Sequence, residues 1–293
     1  MKKLKAFPYF GGKYKVLEEL YELMPQNSKH FVDVFGGSMT VALNYPNKSA
    51  AITACDVNGD IINFFTILRE ETDSFIQDLR LTLCAESEYI AAWEGMSSSC
   101  RTERARSFFI RSMMGFYGLG SQNTKRGKGI KFAMGRQESK CVGRTEVVSR
   151  WDNGVERLLE VASAIRKRVQ VIEQGYQQTI PRFDFTQAFF YLDPPYDPNS
   201  RSASGEYKHD FTEEDHRTLA LLLYGIEGKA MVSGYRNELM QELYEQEGWK
   251  ATPLKHQEFS NLTRRKLPPE KQEWIWTNYS PNLSLVGKQQ RLF

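Results

Sequence analysis

The chain is poor in cysteine and histidine, with four of each in 293 residues. Cys55, Cys84, Cys100 and Cys141 form no C-x-x-C pair, and His30, His209, His216 and His256 show no metal-ligand spacing. A zinc site and a disulfide framework are not expected, and a reducing compartment is. No run of about 18 apolar residues occurs, and the basic start Met1-Lys2-Lys3-Leu4-Lys5 leads into no apolar stretch. The expectation is a soluble, cytoplasmic protein with no membrane, metal or obligate protein partner. The dinucleotide fingerprint G-x-G-x-x-G is also missing. Acid is absent from Arg104 to Gln137, although the whole chain carries a net charge of only +3. That stretch holds Arg104, Arg106, Arg111, Lys125, Arg126, Lys128, Lys131 and Arg136, and its glycine-rich centre interleaves Phe116, Tyr117, Gln122, Asn123 and Phe132. Uncompensated cations with amides and aromatics between them predict a nucleic-acid-binding segment more readily than a solvated basic loop. Phe259 to Lys266, with Arg264 and Arg265, is a second basic patch.

What is present is organised around Asp193-Pro194-Pro195-Tyr196, which follows the apolar run Ala188 to Leu192. Such a run predicts a strand buried on both faces of a parallel sheet. The acid then emerges at the strand's carboxyl end, where open α/β sheets place their ligands. Two prolines stiffen the turn and remove two N–H donors. A carboxylate, a row of carbonyl acceptors and an aromatic ring suit a planar base with an exocyclic amine.

Upstream, Phe7-Pro-Tyr-Phe-Gly-Gly-Lys13 precedes an amphipathic run from Tyr14 to Met24. His30 to Ser38 reads as strand then glycine turn, with helix over Met39 to Leu43. Asp33 at the strand's end and Gly36-Gly37 in the turn fit a small cofactor whose amino group meets a carboxylate. Ala50 to Cys55 predicts a second strand ending at Asp56, where such folds hold ribose hydroxyls. Apolar stripes predict helices through 58–114 and over 145–167. Strands are expected over Val169 to Ile172, Lys229 to Tyr235, Trp249 to Leu254 and Glu273 to Tyr279. Helices are expected from Thr212, where Asp215 completes a capping box, and over Glu238 to Glu247.

The order Tyr-Phe-Gly-Gly-Lys, Asp-Val-Phe-Gly-Gly, Asp56, basic insert, Asp-Pro-Pro-Tyr resembles the Dam-type (D12 class) adenine-N6 DNA methyltransferases, over about residues 7–279. The resemblance implies a Rossmann-like α/β fold. Its mostly parallel seven-stranded sheet would have helices on both faces and a mainly helical DNA-recognition insert. It implies a catalytic domain over 1–70 and 165–280, target recognition over 71–164, and a loose tail over 281–293. It implies S-adenosylmethionine as cofactor, met by Tyr9, Lys13, Asp33, Phe35, Gly36, Gly37, Asp56 and Asp193. It also implies catalysis by Asp193, Pro194, Pro195 and Tyr196 on an adenine flipped from double-stranded DNA. DNA contacts are expected from Arg111, Asn123, Lys125, Arg126, Lys128, Lys131 and Arg136, with Arg264 and Arg265 from the second patch. Within the insert, Gly115-Phe-Tyr-Gly-Leu-Gly and Lys131-Phe-Ala-Met-Gly-Arg136 depart from the family's usual text, so no target sequence is carried over. A cytosine-N4 methyltransferase, a glutamine-methylating enzyme and an inactive nucleic-acid-binding relative are the rival readings. The first two more often place Ser, Thr or Asn where Asp193 stands. Intact Lys13, Asp56 and Asp193 weigh against the third.

Overall fold

The computed structural model describes residues 3–9, 11–115, 132, 145–195, 211–254 and 272–281. Seven strands form one sheet: β1 (His30–Asp33), β2 (Ala51–Asp56), β3 (Val169–Glu173), β4 (Ala188–Leu192), β5 (Lys229–Tyr235), β6 (Lys250–Pro253) and β7 (Glu273–Thr277). Their order is β3-β2-β1-β4-β5-β7-β6. Every neighbouring pair from β3 to β5 is parallel, and β7 runs antiparallel between β5 and β6. The chain order reverses between β1 and β4, which pair from His30 opposite Ala188 to Asp33 opposite Tyr191. Asp33, Asp56 and Asp193 therefore reach the same edge of the sheet, at or just past the carboxyl ends of three adjacent strands. A crevice at this switch point is where open α/β sheets bind ligands.

The all-apolar run of β4 is buried at every position. Its alternate residues feed two cores: Phe189 and Tyr191 on one face, Ala188, Phe190 and Leu192 on the other. On the first face pack α1 (Leu17–Leu23), α2 (Thr40–Asn44), α3 (Gly59–Glu70) and α7 (Glu146–Arg168). On the second lie α8 (Tyr176–Phe183), α9 (Glu213–Tyr224) and the short α10 (Glu238–Met240). Helices α4 (Thr72–Leu81), α5 (Glu86–Gly95) and α6 (Arg101–Met114) extend the first core outward from α3. Phe64 of α3 stacks on Phe109 of α6, with centroids 5.6 Å apart and planes 7° apart. Asn58 caps α3 by accepting from the Asp60 N–H, and Thr212 with Asp215 forms the expected capping box on α9.

One element differs from its expected form. Instead of an even helix over 238–247, α10 passes into a π-helical turn over Gln241–Glu245. The wider turn lets consecutive residues Leu243 and Tyr244 both bury against the sheet, where Tyr244 meets Trp249 and Trp276. Among the described residues no helix is long and apolar enough to cross a membrane, and no group of three acids, cysteines or histidines is arranged to hold a metal ion.

Candidate active site

The loop after β1 is shaped by close backbone approach. The Gly36 N–H donates to the Cys55 carbonyl at 2.7 Å, and a Cβ on Gly36 would stand 3.0 Å from that oxygen. Gly37 adopts φ +50°, and a Cβ there would lie 2.8 Å from the Tyr9 ring. A side chain at Gly36 would crowd the Cys55 carbonyl, and Gly37 is set by conformation as well as by space. Asp56 ties this loop to the second strand, accepting from the Gly37 N–H and the Asn58 N–H at 2.8 Å each. Tyr9 is carried in by a segment whose Phe7 ring packs edge-on against Phe64 and Phe108, at 5.2 and 5.1 Å.

A cavity of about 310 Å³ opens here. Tyr9, Lys13, Asp33, Phe35, Gly36, Gly37, Asp56, Asp193, Pro194 and Pro195 all line it. So do residues that sequence reasoning passed over. Tyr176 and Gln177 begin α8 beyond the tip of β3, and Phe211 precedes α9. Phe35 packs against Tyr176 and Phe211, at 6.0 and 5.6 Å. The available signal for Tyr176 was Gly175 beyond a strand and before a helix.

Asp33 is 1% exposed, and its Oδ2 has no hydrogen-bond partner. Burial, with Asp193 and Asp56 nearby, raises its carboxyl to about 8 despite a hydrogen bond from the Ala42 N–H. Asp193 is raised chiefly by burial, and Lys13 opposes that shift. Lys13 is itself 4% exposed, with Nζ 2.9 Å from Asp193 Oδ1 and 3.1 Å from Glu273 Oε1. Ser233 donates to the same Asp193 oxygen at 2.7 Å. Glu273 and Ser233 were also absent from the expected set. They stand 80 and 40 residues along the chain from Asp193, so only the strand order brings them to it.

Of the residues expected to meet DNA, Arg111 lies within α6. It is 9% exposed, with its guanidinium 4.0 Å from the Trp93 ring centroid. Tyr196 of the catalytic motif lies outside the described residues, as do Asn123, Lys125, Arg126, Lys128, Lys131, Arg136, Arg264 and Arg265.

A parallel sheet in this order, with one antiparallel strand slotted near the edge and acids at adjacent strand tips around one cleft, is the Rossmann-like fold of S-adenosylmethionine-dependent methyltransferases. The chain belongs to the D12 class N6 adenine-specific DNA methyltransferases, whose family model matches residues 9–257. It is 27% identical to the DNA adenine methylase of Escherichia coli (strain K12) over 277 residues, covering 91% of this chain and 93% of that protein. It is 28% identical to the Serratia marcescens DNA adenine methylase over 257 residues, covering 84% and 88%. Against the Vibrio cholerae (strain O395) DNA adenine methylase it is 26% identical over 228 residues, covering 75% and 76%. The activity is transfer of a methyl group from S-adenosylmethionine to adenine N6 in DNA. The residues present fit that cofactor, because Asp33 lines the cleft and its buried carboxyl keeps one oxygen without a hydrogen-bond partner, the kind of group an ammonium-bearing ligand satisfies.

Proposed function

We propose that the substrate is double-stranded DNA read at a specific sequence, and that the target adenine enters the cleft flipped out of the helix. The observation that carries this reading is the gathering of Asp33, Asp56 and Asp193 around one cleft. In it, Asp33 would hold the amino end of the cofactor and Asp56 its ribose. Gly36 and Gly37 let the backbone approach closely, with Tyr9, Lys13 and Phe35 completing the wall. When bound, S-adenosylmethionine supplies an electrophilic methyl group on a sulfonium.

The remaining work falls to the chain. Adenine N6 is a poor nucleophile because its lone pair is delocalised into the ring. The Asp193 carboxylate and the Pro194 carbonyl accept the two N6 hydrogens, which favours a pyramidal nitrogen. One such preorganised acceptor contributes ~3 kcal/mol in the transition state. Pro195 keeps the turn rigid, so the acceptors need not reorganise. The raised proton affinity of Asp193 suits it to take the proton that N6 sheds. A stacked base cannot reach this depth, so flipping is required, and Tyr196 is assigned to stack on the flipped base. Residues 1–70 and 165–280 form the catalytic part and 71–164 the target-recognition part. Within and beyond that part, Asn123, Lys125, Arg126, Lys128, Lys131, Arg136, Arg264 and Arg265 are assigned to DNA. The place of action is the cytoplasm, on chromosomal or other resident DNA.

The test is transfer of labelled methyl from cofactor to adenine-containing duplexes, with targets chosen by methylation-sensitive sequencing of DNA from expressing cells. Asp193→Ala is expected to abolish turnover while duplex affinity is largely retained, because the N6 contact strengthens only as the nitrogen becomes pyramidal. Near-normal turnover in that variant removes Asp193 from the mechanism.

A further inference from the structure

The charge cluster behind Asp193 joins four separate pieces of chain. Lys13 comes from a 3-10 turn (Lys13–Lys15), Asp193 follows β4, Ser233 lies in β5 and Glu273 opens β7. Only 3% of the Lys13 side chain is exposed, and its ammonium also donates to the Gly11 carbonyl at 3.0 Å. Ser233 is fully buried, and its oxygen lies 3.2 Å from the Tyr191 hydroxyl. Among the described residues, one cation thus faces two carboxylates in a mostly dry site. A lone ammonium against Asp193 would neutralise the carboxylate that is meant to accept from adenine. An ammonium shared with Glu273 leaves these three described groups with one net negative charge.

We infer that Glu273 and Ser233 are positioning residues for methyl transfer: Glu273 holds Lys13 so that the cluster stays net negative, and Ser233 with Lys13 fixes the orientation of the Asp193 carboxylate. The inference rests on Asp193 as the acceptor for adenine N6. During transfer, positive charge passes from the sulfonium to N6. A net negative, preorganised cluster beside N6 favours the state in which that charge has arrived. Two donors on one carboxylate oxygen restrict its rotation, which is how supporting residues hold an acceptor to productive geometry.

Among the described residues, the groups that face Asp193 include Lys13, Glu273, Ser233, Tyr191 and, across the cleft, Asp33. Tyr191 stays protonated because burial raises its hydroxyl well above the usual range. On the Asp193 carboxyl, burial acts upward most strongly, Lys13 acts downward, Glu273 upward and Ser233 downward. Removing Glu273 and removing Ser233 are therefore expected to move its titration in opposite directions.

The experiment measures kcat and both KM values across pH for the wild type, Glu273→Gln, Glu273→Asp and Ser233→Ala. It is joined to ¹³C-carboxyl titration of Asp193 in the cofactor-free proteins. Glu273→Gln should lower kcat by roughly tenfold, the scale of disturbing one member of a coupled network, with little change in KM. Its acidic limb and its Asp193 titration should move to lower pH, and Glu273→Asp should restore part of both. Ser233→Ala should lower kcat and move both readouts to higher pH. Limbs and titrations that stay in place, or that move the same way in both variants, overturn the inference. If Glu273→Gln does not fold, Ser233→Ala decides alone. If the wild type methylates no adenine, the role given to Asp193 fails, and the carboxyl titrations still decide whether Glu273 and Ser233 act on it as stated.

Discussion

Asp33 combines burial, two neighbouring acids and an acceptor atom without a partner, so its proton is where the proposed cofactor contact and pH meet. Its carboxyl is raised from 3.8 to about 8, so the folded protein keeps a proton that the unfolded chain has already lost. The resulting stability is fully present below the unfolded value and is lost as pH rises through about 8. Thermal melts of the cofactor-free protein should show that decline across the window, and Asp33→Asn should flatten it. An equal slope in both would exclude Asp33 as its source. A cofactor ammonium beside Asp33 favours the ionised carboxylate, so binding below about pH 8 should release a proton. Calorimetry in two buffers of different ionisation enthalpy measures that release directly. Identical heats would remove Asp33 from contact with the ammonium.

At the scale of elements, the turn between β1 and α2 is the most constrained piece of the site. Gly37 sits at φ +50° with the Tyr9 ring where a Cβ would go, and Met39 takes a left-handed conformation at φ 51° just after it. Gly37→Ala must displace Tyr9 or the loop, and the Gly37 N–H held by Asp56 moves with it. A loss of about 1–3 kcal/mol in stability is expected from the strain. A larger proportional loss is expected in cofactor affinity, read by urea titration beside calorimetry. Unchanged cofactor affinity would mean the loop does not form the cofactor wall. This turn was legible in the sequence because strand, glycines and acid lie within a few residues of each other. The strand before Asp193 was legible for a similar local reason, being apolar throughout. Glu273 and Ser233 were not legible, since each is a single polar residue in a strand and acquires its role only from the sheet order. The π-helical turn was hidden as well, because helical spacing does not reveal where one extra residue widens the helix.

On the scale of the whole molecule, the helices assigned to target recognition share a core with the catalytic sheet. Phe75, Phe108 and Phe109 belong to the same apolar cluster as Phe31 and Phe189. A rotation of α4–α7 against the sheet would open that cluster, so these helices form a fixed mount for the acid-free segment. The segment leaves α6 at Gly115, which pairs with Phe132, and Arg150 of α7 donates to the Gly115 carbonyl at 3.3 Å. Phe132 also meets the ring of Tyr89, at 6.0 Å. Cations carried on a fixed mount should act through phosphate contacts that add up without disturbing the fold. Changing Lys125, Arg126 and Lys128 together to Ala should therefore leave the melting temperature near that of the wild type. It should reduce the salt slope of duplex binding by roughly 0.9 for each phosphate that the protein no longer neutralises. Arg111 provides the contrast, because its guanidinium is buried on Trp93 and its removal takes away packing as well as charge. Arg111→Ala should lower the melting temperature, with a smaller effect on the slope. The decisive measurement is duplex affinity at several salt concentrations for all three proteins. If the triple variant keeps the wild-type slope, the acid-free segment does not lie along the DNA, and its excess of cations needs another partner.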